Sequence, residues 1–331
     1  MLCPAVSPDV LREVVLMAMN EEVAAEPASH CRLVSSGSLG VELGLRALNV
    51  GSGDRVAVCG YDYPGNLRAI ESIGARPLLI DADPTGYSLD PDQLNKLNPA
   101  DIKAVVVSHL YGIPADVEAI GRICKQNNWQ WIEDACQTPL MPISGRFAGS
   151  HGSLGVLSFG GSKPLTAGNG GAIVTSDVRI ASKLNALLDR PSDAAPVSPL
   201  QAAALLPQLC RLHLCNLQRA QTIARLADEV SWLSDSMLGV CPPPDATCYK
   251  LAFLSHCRDS LLAELHEAGI PAGDGFRSMH RSSRRRCDRI GELRRCEQLG
   301  EQVCLIDHRA LLANNAAQDQ LVQCLQRIRL T

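Results

Sequence analysis

The chain has 331 residues, of which 46% are hydrophobic and 20% charged, and its net charge is -4. These proportions exclude intrinsic disorder and a collagen-like repeat, and the length predicts about two domains, or one large α/β unit with an appendage. The longest apolar runs, such as Ala202–Leu206, fall far short of the ~18 residues of a membrane span, and a mildly acidic chain has no general attraction for nucleic acid.

Met1-Leu2-Cys3-Pro4 is not a basic stretch leading into an apolar core, so no secretory leader is expected and the sequence predicts a cytoplasmic protein. Fourteen cysteines are scattered without a C-x-x-C pair, and the closest two are Cys210 and Cys215. They read as small buried hydrophobes in a reducing compartment, not as a disulfide framework or a metal site.

A short helical pattern runs from Val10 to Ala18. Strand-like runs follow at Arg55–Cys59, Pro77–Asp81, Ala104–Ser108, Trp129–Glu133, Gly155–Phe159 and Ala172–Thr175. Helical stretches lie between most of them. Leu39–Leu48 puts Val41, Leu45 and Leu48 on one face, and Pro114–Gln126 opens on Pro114 ahead of Val117, Ile120 and Cys124. Asp189–Pro199 reads as a loop, and Leu200–Leu233 as helical, with Pro207 expected to kink or break it. A strand at Tyr249–Ser255, a helix at Asp259–Glu267, an arginine-rich stretch, a strand at Gln302–Ile306 and a helix near Ala316–Ile328 complete the chain. The predicted class is α/β, a mainly parallel sheet covered by helices on both faces, with a smaller C-terminal α+β domain. The expected divisions are an N-terminal arm (1–30), a large domain (31–195), connecting helices (196–235) and a small domain (236–331).

An open parallel sheet binds ligands at the carboxyl ends of its strands. Four polar groups fall there. Glu133-Asp134 ends one strand and Gln137 follows; Ser158-Phe159-Gly160-Gly161-Ser162-Lys163 ends the next. Ser35-Ser36-Gly37-Ser38 precedes a helix, and Tyr61-Asp62-Tyr63 follows the Arg55–Cys59 strand. A small polar loop at a helix N-terminus holds an anion, an acid at a strand end pairs with a cationic ring nitrogen, an aromatic stacks on a ring, and a lysine condenses with an aldehyde. Phosphate, ring nitrogen and aldehyde are the three handles of pyridoxal 5′-phosphate (PLP). Plainer readings compete: Asp134 as a helix N-cap, Gln137 on a helix surface, Ser158 as a buried hydroxyl, Tyr61 instead of Tyr63 as the stacking ring. His109 reads as a structural histidine. Arg281, Arg284, Arg285, Arg286, Arg289 and Arg294 form either a solvated face or a phosphate contact for a nucleotide-linked substrate.

In order and spacing these residues resemble the DegT/StrS family of PLP-dependent sugar aminotransferases, which has the aspartate-aminotransferase type fold (fold type I). The likeness is carried by Ser35–Ser38, Gly53-Asp54-Arg55-Val56, Asp81-Ala82-Asp83-Pro84, Ser108–Asp116, Glu133-Asp134-Ala135-Cys136-Gln137, Gly145–Gly152, and Ser158–Lys163 followed by Gly168–Ala172. It covers about Cys31 to Ile270. The resemblance implies that Lys163 forms the internal aldimine and shuttles protons, and that Asp134 keeps the pyridine nitrogen protonated. It further implies that Gln137 meets the ring's 3-oxygen, that Tyr63 stacks, and that Gly37, Ser38 and Ser158 hold the phosphate. L-Glutamate or L-glutamine would supply an amine to a keto sugar, nucleotide-linked, or to a cyclitol, in a homodimer. The family's sugar dehydratases carry His at the lysine position, so Lys163 points away from them. A second reading is a non-catalytic descendant that binds PLP or a sugar as a sensor or partner. Three departures stand out: no Asn occurs in Asp189–Leu200, Asn169 replaces the acid of "G-E-G-G", and Cys136 replaces an Ala.

Overall fold

The computed structural model describes residues 7–20, 28–189, 197–238 and 249–327. The neighbourhood of Ser192–Pro196, where an Asn was sought, lies outside these residues.

Seven strands from the first half of the chain build the main sheet: β1 (His30–Val34), β2 (Arg55–Cys59), β3 (Arg76–Ile80), β4 (Ala104–Ser108), β5 (Gln130–Asp134) and, after the small hairpin β6 (Pro142–Ile143) and β7 (Arg146–Phe147), β8 (Leu154–Ser158) and β9 (Gly171–Thr175). The C-terminal region adds β10 (Leu251–Leu254), β11 (Ala272–Asp274), β12 (Asp288–Arg289) and β13 (Val303–Ile306). The main sheet has eight strands in the order β1-β9-β8-β5-β4-β2-β3-β12. It is parallel from β8 to β12, and β9 runs antiparallel to both β1 and β8. Strands β4, β8 and β9 are buried at every residue, as a sheet covered on both faces requires. A second, antiparallel sheet has the order β10-β13-β11, and its own apolar cluster joins Phe253, Leu261 and Ile306 to Ile223 and Leu226 of the long helix Pro199–Glu229.

The sequence reading places six of the seven first-half sheet strands within a residue or so. It misses β1, whose HCRLV sequence mixes polar and apolar residues, and the helices Pro64–Ser72 and Val178–Leu188. Of the kink or break expected at Pro207, the break does not occur: the helix runs from Pro199 to Glu229 with the proline inside it. Beside that proline, Gln208 Nε2 donates to the Ala204 carbonyl (2.7 Å) and to the Thr166 carbonyl (2.8 Å), so the side chain feeds the disturbed turn and ties it to the loop after β8.

The arginine-rich stretch folds back onto the main sheet. β12 pairs with β3, Arg76 binds the carbonyls of Arg284 and Arg285 and the Asp288 carboxylate, and Arg286 grips Glu71 through two bonds of 2.8 and 2.6 Å.

Candidate active site

The carboxyl ends of β2, β4, β5 and β8 open into one cavity of about 420 Å³. All seven candidate residues line it: Gly37, Ser38, Tyr63, Asp134, Gln137, Ser158 and Lys163.

The helix expected from Leu39 starts two residues earlier. Ser36 is its N-cap, accepting from the Leu39 N–H at 3.1 Å, so Gly37 and Ser38 occupy the first turn. Amides in that turn have no intrahelical acceptor and stand at the positive end of the helix dipole. Gly37 is required on packing grounds. A Cβ there would meet Cys136 Sγ at 2.7 Å and Ser158 Cβ at 3.0 Å. This close approach brings the turn, the Ser158 hydroxyl and the strand end β8 together, a cradle that fits a phosphate.

Lys163 sits on a loop that turns on Gly161 (φ 60°) and Gly168 (φ 79°) and is closed by Gly161 N–H to the Gly168 carbonyl (3.2 Å). Tyr249 holds the same loop through its hydroxyl, which donates to the Ser162 carbonyl at 2.9 Å. Lys163 Nζ lies 5.9 Å from the Tyr63 ring centre and 5.7 Å from that of Tyr249, and among the described residues it has no carboxylate partner. An amine so held is available for condensation with a carbonyl.

Asp134 ends β5. Its Oδ1 accepts from the Cys136 N–H (3.0 Å) and its Oδ2 from Asn66 Nδ2 (2.8 Å). Gln137 Oε1 accepts the Tyr111 N–H at 2.9 Å, which leaves Nε2 as the end free to donate into the cavity. Tyr63 is 40% exposed and lies over Gly65, where a Cβ would come within 2.2 Å of the ring. The competing Tyr61 is wholly buried, 2.7 Å from the Tyr111 hydroxyl, and does not line the cavity. Gly275 permits the opposite wall: a Cβ there would fall 2.1 Å from the Tyr61 hydroxyl. The Phe276 N–H then donates to both Tyr61 and Tyr111.

Several lining residues carry no signal in the sequence reading. Asn66 comes from an unpredicted helix. Tyr249, Lys250, Asp274 and Phe276 belong to the C-terminal sheet region, and only the fold brings them to the cavity. Lys250 packs 5.2 Å over the Tyr249 ring and 3.8 Å from Asp307, and burial pushes its ammonium pKa down.

His109 lies outside the cavity. The Ala115 N–H donates to its Nδ1 (3.0 Å), so the ring is a neutral tautomer whose Nε2–H donates to Glu133 Oε1 (2.8 Å). Burial alone would raise the Glu133 carboxyl, but the His109 hydrogen bond and backbone N–H donors hold it below its ordinary value. Glu133 Oε2 also accepts the His151 and Gly152 N–H groups, so this pair anchors the segment before β8. No arginine of 277–295 lines the cavity.

An anion cradle, an acid, an exposed tyrosine ring and a lysine with no carboxylate partner among the described residues, all in one cavity, are the donor set of a lysine-based PLP site on an open α/β sheet. The family model of the DegT/DnrJ/EryC1/StrS aminotransferases matches residues 21–326, and the chain belongs to that family: it is a PLP-dependent aminotransferase. It is 29% identical to an L-glutamine:scyllo-inosose aminotransferase of Streptomyces griseus, over 90% of this chain and 82% of that one. It is 30% identical to a GDP-perosamine synthase of Caulobacter vibrioides, over 76% of this chain and 73% of the relative. The crystal structure of S. venezuelae DesV in complex with a ketimine intermediate superimposes with a TM-score of 0.85 at 25% identity, covering 99% of this chain and 91% of that one. A DegT DnrJ EryC1 StrS aminotransferase from Brucella abortus gives the same TM-score, 0.85, at 22% identity, with 98% and 90% covered.

Proposed function

We propose that the chain moves the amino group of L-glutamine or L-glutamate to the keto carbon of a cyclitol or of a keto sugar. The observation that carries this reading is the convergence of Lys163, Asp134 and the Gly37 helix start on one cavity. When bound, PLP supplies an electrophilic carbonyl and an electron sink. Gly37, Ser38 and Ser158 would hold its phosphate, Tyr63 would cover the ring, Gln137 would donate to the ring oxygen, and Asp134 would pair with the ring nitrogen. Lys163 would anchor the group and supply the base that moves a proton at the substrate carbon.

A cyclitol acceptor finds support in the hydrogen-bonding groups around the cavity: Ser162, Asn169, Tyr249, Lys250 and Asp274 suit a ring of hydroxyls. A nucleotide-linked sugar needs phosphate contacts farther out, and Arg281, Arg286, Arg289 and Arg294 are already engaged with Glu297, Glu71, backbone carbonyls and Glu292. The relative from Streptomyces is named for a cyclitol ketone and that from Caulobacter for a GDP-linked sugar. We further propose a homodimer, supported by exposed Met17, Leu200 and Leu214 on two helices that pack together, and a cytoplasmic location, supported by eleven free cysteines among the described residues. The domain divisions 1–30, 31–195, 196–235 and 236–331 belong to the same proposal, with β12 and its flanks crossing back onto the large sheet.

The test is spectroscopic. Protein loaded with PLP should lose its long-wavelength absorbance on adding L-glutamine or L-glutamate and recover it on adding scyllo-inosose or a keto sugar. Borohydride reduction and peptide mapping should place the label on Lys163. A label elsewhere sinks the assignment, and a coloured protein that no amino donor bleaches favours the sensor reading.

A further inference from the structure

Asp62 is as deeply buried as any described residue, and nothing in the reaction described above uses it. It follows β2, while Asp134 ends β5, and β4 lies between those two strands. The last residue of β4 is Ser108, in register with Asp134. Its single hydroxyl lies 2.9 Å from Asp62 Oδ2 and 3.4 Å from Asp134 Oδ2. Asn66 Nδ2 has two hydrogens and three acceptors in reach: Asp134 Oδ2 (2.8 Å), Ser108 Oγ (3.0 Å) and Asp62 Oδ1 (3.3 Å). Aiming Nδ2 this way leaves Asn66 Oδ1 buried without a partner. The Tyr63 N–H completes the set, donating to Asp62 Oδ1 at 2.6 Å.

Two buried carboxylates therefore share a serine and an amide. Neither has a cationic partner among the described residues. The titratable neighbours of Asp62 are Asp134 and Cys136 at the end of β5, with Lys163 across the cavity. Two such charges in one dry cluster are not both tolerated, and a common proton removes one of them. It also completes the hydrogen bonding. An acid O–H on Asp62 donates to Ser108 Oγ, which frees the serine hydrogen for Asp134 Oδ2.

We propose that Asp62 and Asp134 form a proton-sharing dyad through Ser108, with Asp62 storing the proton that leaves when a positively charged ring nitrogen pairs with Asp134. This rests on the PLP reading of the cavity. Asp62 acts through Ser108 and Asp134 and so is a positioning residue. The proton balance is simple. The empty site holds one proton and one negative charge. The site with a cationic ring holds both carboxylates ionised against it, and because that ring already carries its own proton the stored one passes to solvent. Burial, and next the Asp134 charge, push the Asp62 carboxyl up to about 7, which places this exchange in the neutral range.

The probe is pyridoxamine 5′-phosphate, bound to wild-type apoprotein and to Asp62→Asn, which keeps the acceptor for Tyr63 and a donor for Ser108 but has no proton to give. Affinity is measured from pH 5.5 to 8.5. Below about pH 7 the wild-type affinity should rise with pH more steeply than that of the variant, by up to tenfold per pH unit, and run parallel to it above. Calorimetry in two buffers should count about one more proton released per site by wild type. Parallel curves and equal proton counts overturn the dyad, and a uniform loss of affinity in the variant assigns Asp62 to holding Tyr63 and Asn66 only. Failure of pyridoxamine phosphate to bind wild type at all refutes the cofactor reading instead. Should the variant not fold, wild type alone decides: its apoprotein must show a carboxylic-acid infrared band at pH 6 that is gone at pH 9 and gone on adding the probe.

Discussion

Gly37→Ala tests the cradle where its geometry is tightest. The added methyl would sit 2.7 Å from Cys136 Sγ and 3.0 Å from Ser158 Cβ, well inside van der Waals contact. Both neighbours hang on strand ends or their immediate continuation, so the helix start must move. Overpacking of this kind costs about 1–3 kcal/mol, and for a chain of this size class each kcal/mol lowers Tm by roughly 2 °C. The apoprotein should therefore melt a few degrees lower. PLP affinity should fall further than stability, because the displaced amides are those proposed to meet the phosphate. Cys136 stands where the resembled family has Ala, so Cys136→Ala should relieve one of the two contacts. In Gly37→Ala/Cys136→Ala part of the loss should return, a coupling of about 1 kcal/mol in a double-mutant cycle. The assays are thermal melting of apoprotein and PLP titration for the four proteins of the cycle. Unchanged melting and cofactor affinity in Gly37→Ala, or strict additivity with Cys136→Ala, would refute the claim that this contact sets the phosphate site.

Three more outcomes follow from buried or bridged charges. Glu133→Gln must turn its NH2 either toward the His109 Nε2–H, whose Nδ1 is committed to Ala115, or toward the His151 and Gly152 N–H groups, so a donor faces a donor either way; the expected loss is about 1–3 kcal/mol by chemical denaturation. Because the folded Glu133 carboxyl is depressed, its stabilisation is present above its unfolded pKa and lost as pH falls through the folded value. Wild type should therefore show an acid limb that the variant lacks. Asp62 has the opposite sign: raised from 3.8 to about 7, it favours the folded apoprotein at low pH, and that advantage, roughly 4 kcal/mol at most, is lost as pH rises through about 7. Asp62→Asn should flatten that limb of the stability curve, and an unaltered curve counts against the buried acid. Arg286→Ala removes a half-exposed clasp on Glu71, worth about 0.5 kcal/mol or less, and steady-state kinetics should give an unchanged KM for any acceptor; a raised KM for a nucleotide sugar would restore the phosphate-contact reading of this stretch.

Legibility in the sequence followed burial and chain proximity. β4 reads directly, because its five residues are buried on both faces and four of them are apolar. Lys163, Asp134 and Gly37 read as candidates because each sits in a short motif at a strand end or helix start. The helix Pro64–Ser72 was not read. Its exposed face is polar, and its buried face includes Gly65 and Asn66, chosen by Tyr63 and Asp134 and not by an apolar core. The arginines of 277–295 read as a charge run because their partners are remote in sequence: Glu71 lies 215 residues from Arg286, and Arg76 lies 208 from the Arg284 carbonyl it binds. Cys296 is fully buried, as the hydrophobe reading expects, whereas Cys136 is half-buried and lines the cavity; burial pushes both thiols up.

Asp62 is a different case. Its motif is legible in the sequence and its chemistry is not, since strand order alone decides what it faces. The chain leaves β2 for β3 on one side and reaches β4 on the other, so the crevice between β2 and β4 is a topological switch point, where connections diverge and leave room at the carboxyl ends. Tyr63 and Asn66 enter that crevice from the β2 side, Ser108 from β4 and Asp134 from the next strand over. One strand width separates the outer two, and a serine is short enough to fit there and bridge both. A larger apolar residue at 108 would separate the carboxylates, and a cation would neutralise the acid proposed to pair with the ring nitrogen. The same reasoning makes Ser108→Ala informative. It keeps both carboxylates and the fold of a buried strand end but cuts the bridge, so the pH slope of pyridoxamine phosphate binding should change while Lys163 still takes the borohydride label. If the slope stays as in wild type, the proton does not travel by way of Ser108.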